Sequence, residues 1–181
     1  MSCYYVELKM NPFEIFELPV DFHIDQTLLS SRYLALQKSL HPDNFTAYSA
    51  QEQRLAMQKS AEVNDALQML KDPILRADCI IRLHTGTSSA SDEERHHDMA
   101  FLMQQMQWRE ALEEIEAQRD NDRLTDFSTD ITQAQQAILI QLADALSTQQ
   151  WQQAKALNDK LRFIKKLVAE VERVEEKLFD F

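Results

Sequence analysis

The stretch LSSRYLALQKSLHPDNFTAYSAQEQRLAMQKSAEVNDALQML, residues 29–70, decides the fold. Leu29, Tyr33, Leu36 and Leu40 recur at spacings of four, three and four, which is one apolar stripe of a helix. Pro42 disfavours the α conformation at His41, so that helix stops at the tripeptide His41-Pro42-Asp43. Beyond it, Ser49-Ala50-Gln51-Glu52 has the spacing of a capping box, in which hydroxyl and carboxylate satisfy the orphan amides of a new helix. The new helix has its own stripe through Ala56, Val63, Ala66, Leu67 and Leu70. Two antiparallel helices with an imidazole and an acid at the tip between them is the physical reading. The tripeptide by itself fits either a plain helix end or a functional contact.

Outward from this hairpin, Asn11-Pro12-Phe13-Glu14 supplies a cap, a proline suited to the first helical position and a first-turn acid. A short helix results, with Phe13, Phe16 and Leu18 as its apolar face and Pro19 as its stop. Residues 1–9 carry no pattern and read as an extension ahead of Met10. Asp25 caps the helix that runs to Leu40, and the helix after the tip ends near Asp72-Pro73. An amphipathic connector, Ile74 to Leu83, follows. A polar segment, residues 84–91, contains the single glycine and reads as a linker. Residues 10–83 therefore form one domain with its connector, and residues 92–181 a second.

Three long helical patterns fill the second domain. The middle one carries Leu124, Phe127, Ile131, Ala134, Ile138, Leu142 and Leu146; the last carries Trp151, Ala154, Leu161, Ile164, Val168, Val171 and Leu178. Short polar connections near Asp120-Asn121 and Ser147-Thr148 make neighbours antiparallel, which predicts a three-helix bundle. Almost every apolar residue of the chain repeats at helical spacing, and one glycine with four prolines disfavours a sheet. The fold class is all-α.

Composition narrows the function. With 30 acidic and 19 basic residues the formal net charge is -11, which repels nucleic acid and anionic lipid alike. Cys3 and Cys79 form no CxxC, excluding a disulfide framework or a cysteine-built zinc site. No apolar run approaches a membrane span and no secretory signal opens the chain, so a cytoplasmic location is expected. One glycine cannot build a phosphate-cradling loop.

The first bundle helix holds more apolar surface than a bundle needs. At about 100° per residue, Phe101, Trp108, Leu112 and Ile115 form a core stripe. Met99, Leu102, Met103 and Met106 gather nearly opposite, and Glu110 and Glu114 continue that second stripe. On the last helix Phe163 lies about 200° from Leu161, away from the core stripe. A helix in such a bundle buries one face, so the second stripe serves either another protein or packing on the rest of the chain. The residues alone leave both open. A different reading is a helical metalloenzyme, with His96-His97 and, one turn before, Asp92 and Glu93 as ligands. Adjacent histidines point in different directions, and a solvated first turn explains them more simply.

The short capped helix, the hairpin, His41-Pro42-Asp43, Phe45 and the capped third helix resemble a J domain. Phe101-Leu102-Met103, the acidic run from Arg109-Glu110 to Glu116, Lys160-Leu161-Arg162-Phe163 and the ending Glu175-Glu176-Lys177-Leu178-Phe179-Asp180-Phe181 extend the likeness. From Met10 to Phe181 the chain resembles the HscB-type iron–sulfur cluster co-chaperones. That resemblance implies that His41, Pro42 and Asp43 contact an ATP-driven chaperone of the heat-shock class (HscA-like) and stimulate its ATPase, with Arg32 and Lys38 adding attraction. It implies that Leu102, Met103, Met106, Gln107, Glu110, Glu114 and Phe163 bind an iron–sulfur scaffold protein (IscU-like). Three positions depart from the family: Asn44 follows the tripeptide where Lys or Arg is common, Gln107 replaces an acid, and Met106 replaces leucine. The chemistry then belongs to the chaperone, so neither a catalytic group, a resident cofactor nor a structural zinc is expected. A J-domain protein serving another client is the alternative.

Overall fold

The computed structural model describes residues 11–45, 48–86 and 98–179, and among them finds helices and no strand. Two compact units divide the chain, Met1–Leu83 and His84–Phe181.

The first unit begins with α1 (Pro12–Ile15), whose cap Asn11 accepts from the Phe13 amide at 3.0 Å. Phe13 and Phe16 are fully buried, and α1 packs on α3 (Ala50–Lys71). α2 (Gln26–Ser39) is capped by Asp25, which accepts from the Thr27 and Leu28 amides at 2.9 and 3.0 Å, and it closes at Leu40. A 3-10 turn, Pro42–Phe45, joins it to α3. The expected capping box is present: the Ser49 hydroxyl accepts from the Glu52 amide, and the Glu52 carboxylate accepts from the Ser49 amide at 2.9 Å. The Ser49 hydroxyl also donates to that carboxylate, holding it below its usual pKa. The buried residues of α3 are Ala56, Val63, Ala66, Leu67 and Leu70, the stripe read from its sequence. Between α2 and α3, Tyr33 Oη and Gln37 Nε2 both donate to Asn64 Oδ1, at 3.0 and 2.7 Å.

α4 (Pro73–Thr85) starts on Asp72, whose carboxylate accepts from the Ile74 and Leu75 amides. It runs on through Thr85, so His84 and Thr85, read from the sequence as linker, close a helix instead. Residues 87–91 of that expected linker lie outside the described residues. Arg76 points inward and is buried. Its Nε donates to Leu70 O at 2.7 Å and its Nη2 to Lys71 O, satisfying carbonyls at the end of α3, and its Nη1 donates to Phe22 O, ahead of α2, at 2.7 Å. Burial pushes the guanidinium pKa down and Asp72 opposes that. Cys79 is a buried free thiol whose pKa burial raises.

The second unit contains α5 (Met99–Gln118), α6 (Asn121–Ser147) and α7 (Trp151–Phe179). α6 and α7 pack along their length, and α5 packs more sparsely on both. The core joins Leu112 and Ile115 of α5 to Leu124, Phe127 and Ile131 of α6 and Ile164, Leu167, Val171 and Val174 of α7. Tight turns without glycine connect them: Arg119 (φ 53°) and Gln149 (φ 57°) take left-handed conformations, and Asp120 caps α6. Asp98 caps α5, accepting from the Phe101 amide, and pairs with Lys160 of α7 at 2.7 Å. That contact pins the start of α5 to α7. Among the described residues no helix is long and apolar enough to cross a membrane, and no three His, Cys, Asp or Glu gather as for a metal. Asp92, Glu93, His96 and His97 lie outside the described residues, as does Cys3.

Candidate functional site

Two surfaces stand out, one on each unit. At the hairpin tip, α2 delivers His41 and the 3-10 turn presents Asp43. His41 Nδ1 lies 3.4 Å from Asp43 Oδ2 and 3.3 Å from the Asp43 amide, so the imidazole folds back over the turn. The two side chains are 60 and 85% exposed, open to a partner. Lys38, on the last turn of α2, is exposed too. Arg32 is not placed in the same way. Its Nη1 donates to the carbonyls of Phe16 and Glu17, tying α2 to the turn after α1. The structure thus separates the two cations: one is presented near the tip and the other holds the fold.

The second surface is the outer face of α5. Met99, Leu102, Met103 and Met106 are 65, 43, 61 and 63% exposed, while Leu112 and Ile115 on the opposite side are buried. The helix therefore keeps two apolar faces and buries one. Gln107 and Glu110 are exposed beside the methionines. Glu114 is exposed and also paired: Arg123 Nη2 of α6 lies 3.2 Å from its carboxylate and Gln118 Nε2 donates at 2.9 Å. Those hydrogen bonds hold the Glu114 carboxyl below its usual pKa.

Phe163 departs from the sequence expectation. Instead of standing away from the core, it is half-buried against it. Its ring stacks on Trp108 (centroids 6.2 Å, 13°) and meets Phe101 edge-on (5.7 Å, 84°), and the Arg109 guanidinium lies 5.6 Å above it. The helical-wheel argument failed because the buried stripe of α7 is wide, reaching Leu167 and Val174, which neighbour Phe163 in angle. These described contacts run to the Phe101–Trp108 side of α5, not to the methionines.

Solved structures share this fold. HscB from Vibrio cholerae superposes with a TM-score of 0.83 at 44% identity, covering 93% of this chain and 99% of that one. Human HscB gives 0.85 at 23% identity over 92% of this chain and 83% of that one, a likeness of fold. The family model described as the HSCB C-terminal oligomerisation domain matches residues 97–172. In sequence, the co-chaperone protein HscB homolog of Pasteurella multocida is 74% identical over 172 residues, 95% of this chain and all of that protein. That of Haemophilus influenzae is 55% identical over 170 residues, 94% of this chain and 98% of that one. The chain belongs to the HscB co-chaperone family. Its hairpin unit is the J domain of that family, and α5 to α7 form the three-helix bundle that follows it.

Sequence reasoning missed two sets of contacts at these surfaces. One is a pair of side-chain amides at the tip, Asn44 Nδ2 donating to Lys38 O and Ser39 O and Gln53 Nε2 donating to Phe45 O and Tyr48 O. The other is the backing of Phe163 by Trp108 and Phe101. A signal existed for the second, since aromatics at similar heights on the first and third helices of one bundle, which run parallel, have reason to meet. For the first there was none, because side-chain amides on exposed turns carry no periodicity.

Proposed function

We propose that this co-chaperone acts in iron–sulfur cluster assembly as an adaptor with two working ends. The J domain presents His41, Pro42 and Asp43, with Lys38 beside them, to an ATP-bound heat-shock-class chaperone (HscA-like) and stimulates its ATPase. The outer face of α5, through Leu102, Met103 and Met106 with Gln107, Glu110 and Glu114 around them, holds the cluster scaffold (IscU-like). Phe163 packs on the other, Phe101–Trp108 side of α5 and backs that helix from within the bundle. The cluster is cargo carried by the scaffold.

One observation carries the reading: on a helix that already contributes a buried core stripe, four large apolar side chains are exposed with acids beside them. Unbranched methionines repack at little cost, so such a face suits a protein surface. Holding both partners on one chain turns the second encounter into an intramolecular one, which raises the scaffold's effective concentration at the chaperone. The ATP chemistry takes place on the chaperone. The role of this chain is positional.

The test is the partner chaperone's steady-state ATPase with this protein and scaffold, separately and together. A response well above the sum of the two is expected, and a merely additive one defeats the adaptor. Asp43→Ala is expected to abolish stimulation while leaving scaffold affinity unchanged. Loss of both together would contradict the division of labour.

A further inference from the structure

Little packing fixes the His41-Pro42-Asp43 turn: Phe45 is half-buried with its ring 5.4 Å from that of Tyr48, and His41 to Asn44 are exposed. No residue of Pro42–Phe45 is buried. Two side-chain amides reach it from opposite sides. Asn44 Nδ2 donates to Lys38 O at 2.8 Å and to Ser39 O at 3.3 Å, the last carbonyls of α2, which have no helical partner. From the first turn of α3, Gln53 Nε2 donates to Phe45 O at 3.1 Å and to Tyr48 O at 3.2 Å. Backbone bonds complete the turn, from the Asn44 amide to His41 O and from the Tyr48 amide to Phe45 O, both at 3.0 Å. Each amide thus bridges two carbonyls, one fastening the turn to the helix before it and the other to the helix after it.

We propose that Asn44 and Gln53 are positioning residues that hold the His41-Pro42-Asp43 turn between α2 and α3 in the conformation a chaperone recognises. This rests on the chaperone-contact reading of the tripeptide. Neither amide needs to touch the partner. Exposed amide–carbonyl bonds are individually modest, yet here they act on a turn with no buried anchor, so a small loss redistributes its conformations. When only a fraction of molecules carries the competent turn, apparent affinity falls by that fraction, and the response at saturation is kept.

The experiment titrates the partner chaperone's ATPase with the full chain and with Gln53→Met and Asn44→Leu, neutral replacements of similar size that cannot donate. Asp43→Ala serves as the reference for a lost contact. Each amide variant is expected to raise the half-saturating concentration about tenfold with the plateau kept, whereas Asp43→Ala loses the plateau. The double variant is expected to match the worse single one, because both amides hold the same turn. On the free protein, the Tyr48 amide is expected to exchange with solvent about tenfold faster in Gln53→Met, with the melting temperature unchanged. Wild-type titration and exchange in Gln53→Met, beside an inactive Asp43→Ala, overturn the positioning role and leave the function standing. A lowered plateau in Gln53→Met makes Gln53 a direct contact and also overturns it. Full activity in Asp43→Ala refutes the chaperone-contact reading itself, and the exchange measurement still judges whether the amides hold the turn.

Discussion

Replacing Leu102, Met103 and Phe163 by alanine together would confuse binding with folding, because the three are not equivalent in the structure. A fully buried Phe→Ala costs about 3–5 kcal/mol. Phe163 is half-buried, which scales this to about 2 kcal/mol, and its two aromatic neighbours add about 1 kcal/mol in lost ring geometry. Phe163→Ala is therefore expected to lower bundle stability by roughly 2–3 kcal/mol. Leu102 and Met103 are 43 and 61% exposed, and their alanine variants should stay within about 0.5 kcal/mol of the parent. Binding should divide the other way. Leu102→Ala with Met103→Ala removes apolar area that only a partner covers, worth about 1.5–3 kcal/mol, or about ten- to a hundredfold in scaffold affinity. The assay is urea unfolding followed by Trp108 emission in a Trp151→Phe background, with scaffold titration by calorimetry under conditions where each variant is folded. Trp108 stacks on Phe163, so its native emission should also shift in Phe163→Ala. An unchanged midpoint and spectrum in that variant would refute the packing argument. Unchanged scaffold affinity in the double variant would refute the binding face.

Two further outcomes follow from buried and paired charges. Arg76→Met removes a charged donor from three carbonyls and should cost about 3–5 kcal/mol, read as lost amide-exchange protection along α3; a loss under about 1 kcal/mol would deny Arg76 its part in closing the first unit. In the bundle, hydrogen bonds from Lys160, Arg123 and Lys177 depress the carboxyl pKa values of Asp98, Glu114 and Glu116. A depressed carboxyl contributes stability above its unfolded pKa and loses it as pH falls through the folded one, so these pairs should cost nothing from pH 7 to 5 and weaken below about pH 4.5. Urea midpoints of the bundle already falling between pH 7 and 5 would point to other groups.

Periodicity made most of this architecture readable from sequence. The stripe of α3 and the caps at Asn11, Asp25 and Ser49 appear where spacing and cap chemistry put them, because each depends on residues within a turn or two of one another. What stayed illegible depends on tertiary proximity. Arg76 satisfies carbonyls six and fifty-four residues away, and nothing local distinguishes it from a solvated arginine. Phe163 looked surplus because a single helical wheel supposes a narrow stripe, whereas α7 meets two helices and buries a wider one. Arg32 looked like a surface cation because charge usually is, yet Phe16 and Glu17 leave carbonyls within its reach.

The departure at Asn44 connects these points. A cation after the tripeptide would add attraction toward an acidic partner, a contribution that acts over roughly a Debye length of about 8 Å at physiological salt. An asparagine there adds no charge, but its amide bonds the open carbonyls of α2 and fixes the turn before any partner arrives. One choice favours encounter and the other favours readiness on arrival. With the Arg32 guanidinium committed to the Phe16 and Glu17 carbonyls, Lys38 is the one of these two cations presented for a direct contact at the tip. Recognition then leans on the shape of a pre-set turn as well as on charge. That makes Asn44 and Gln53 matter more in this chain than they would beside a strongly basic helix.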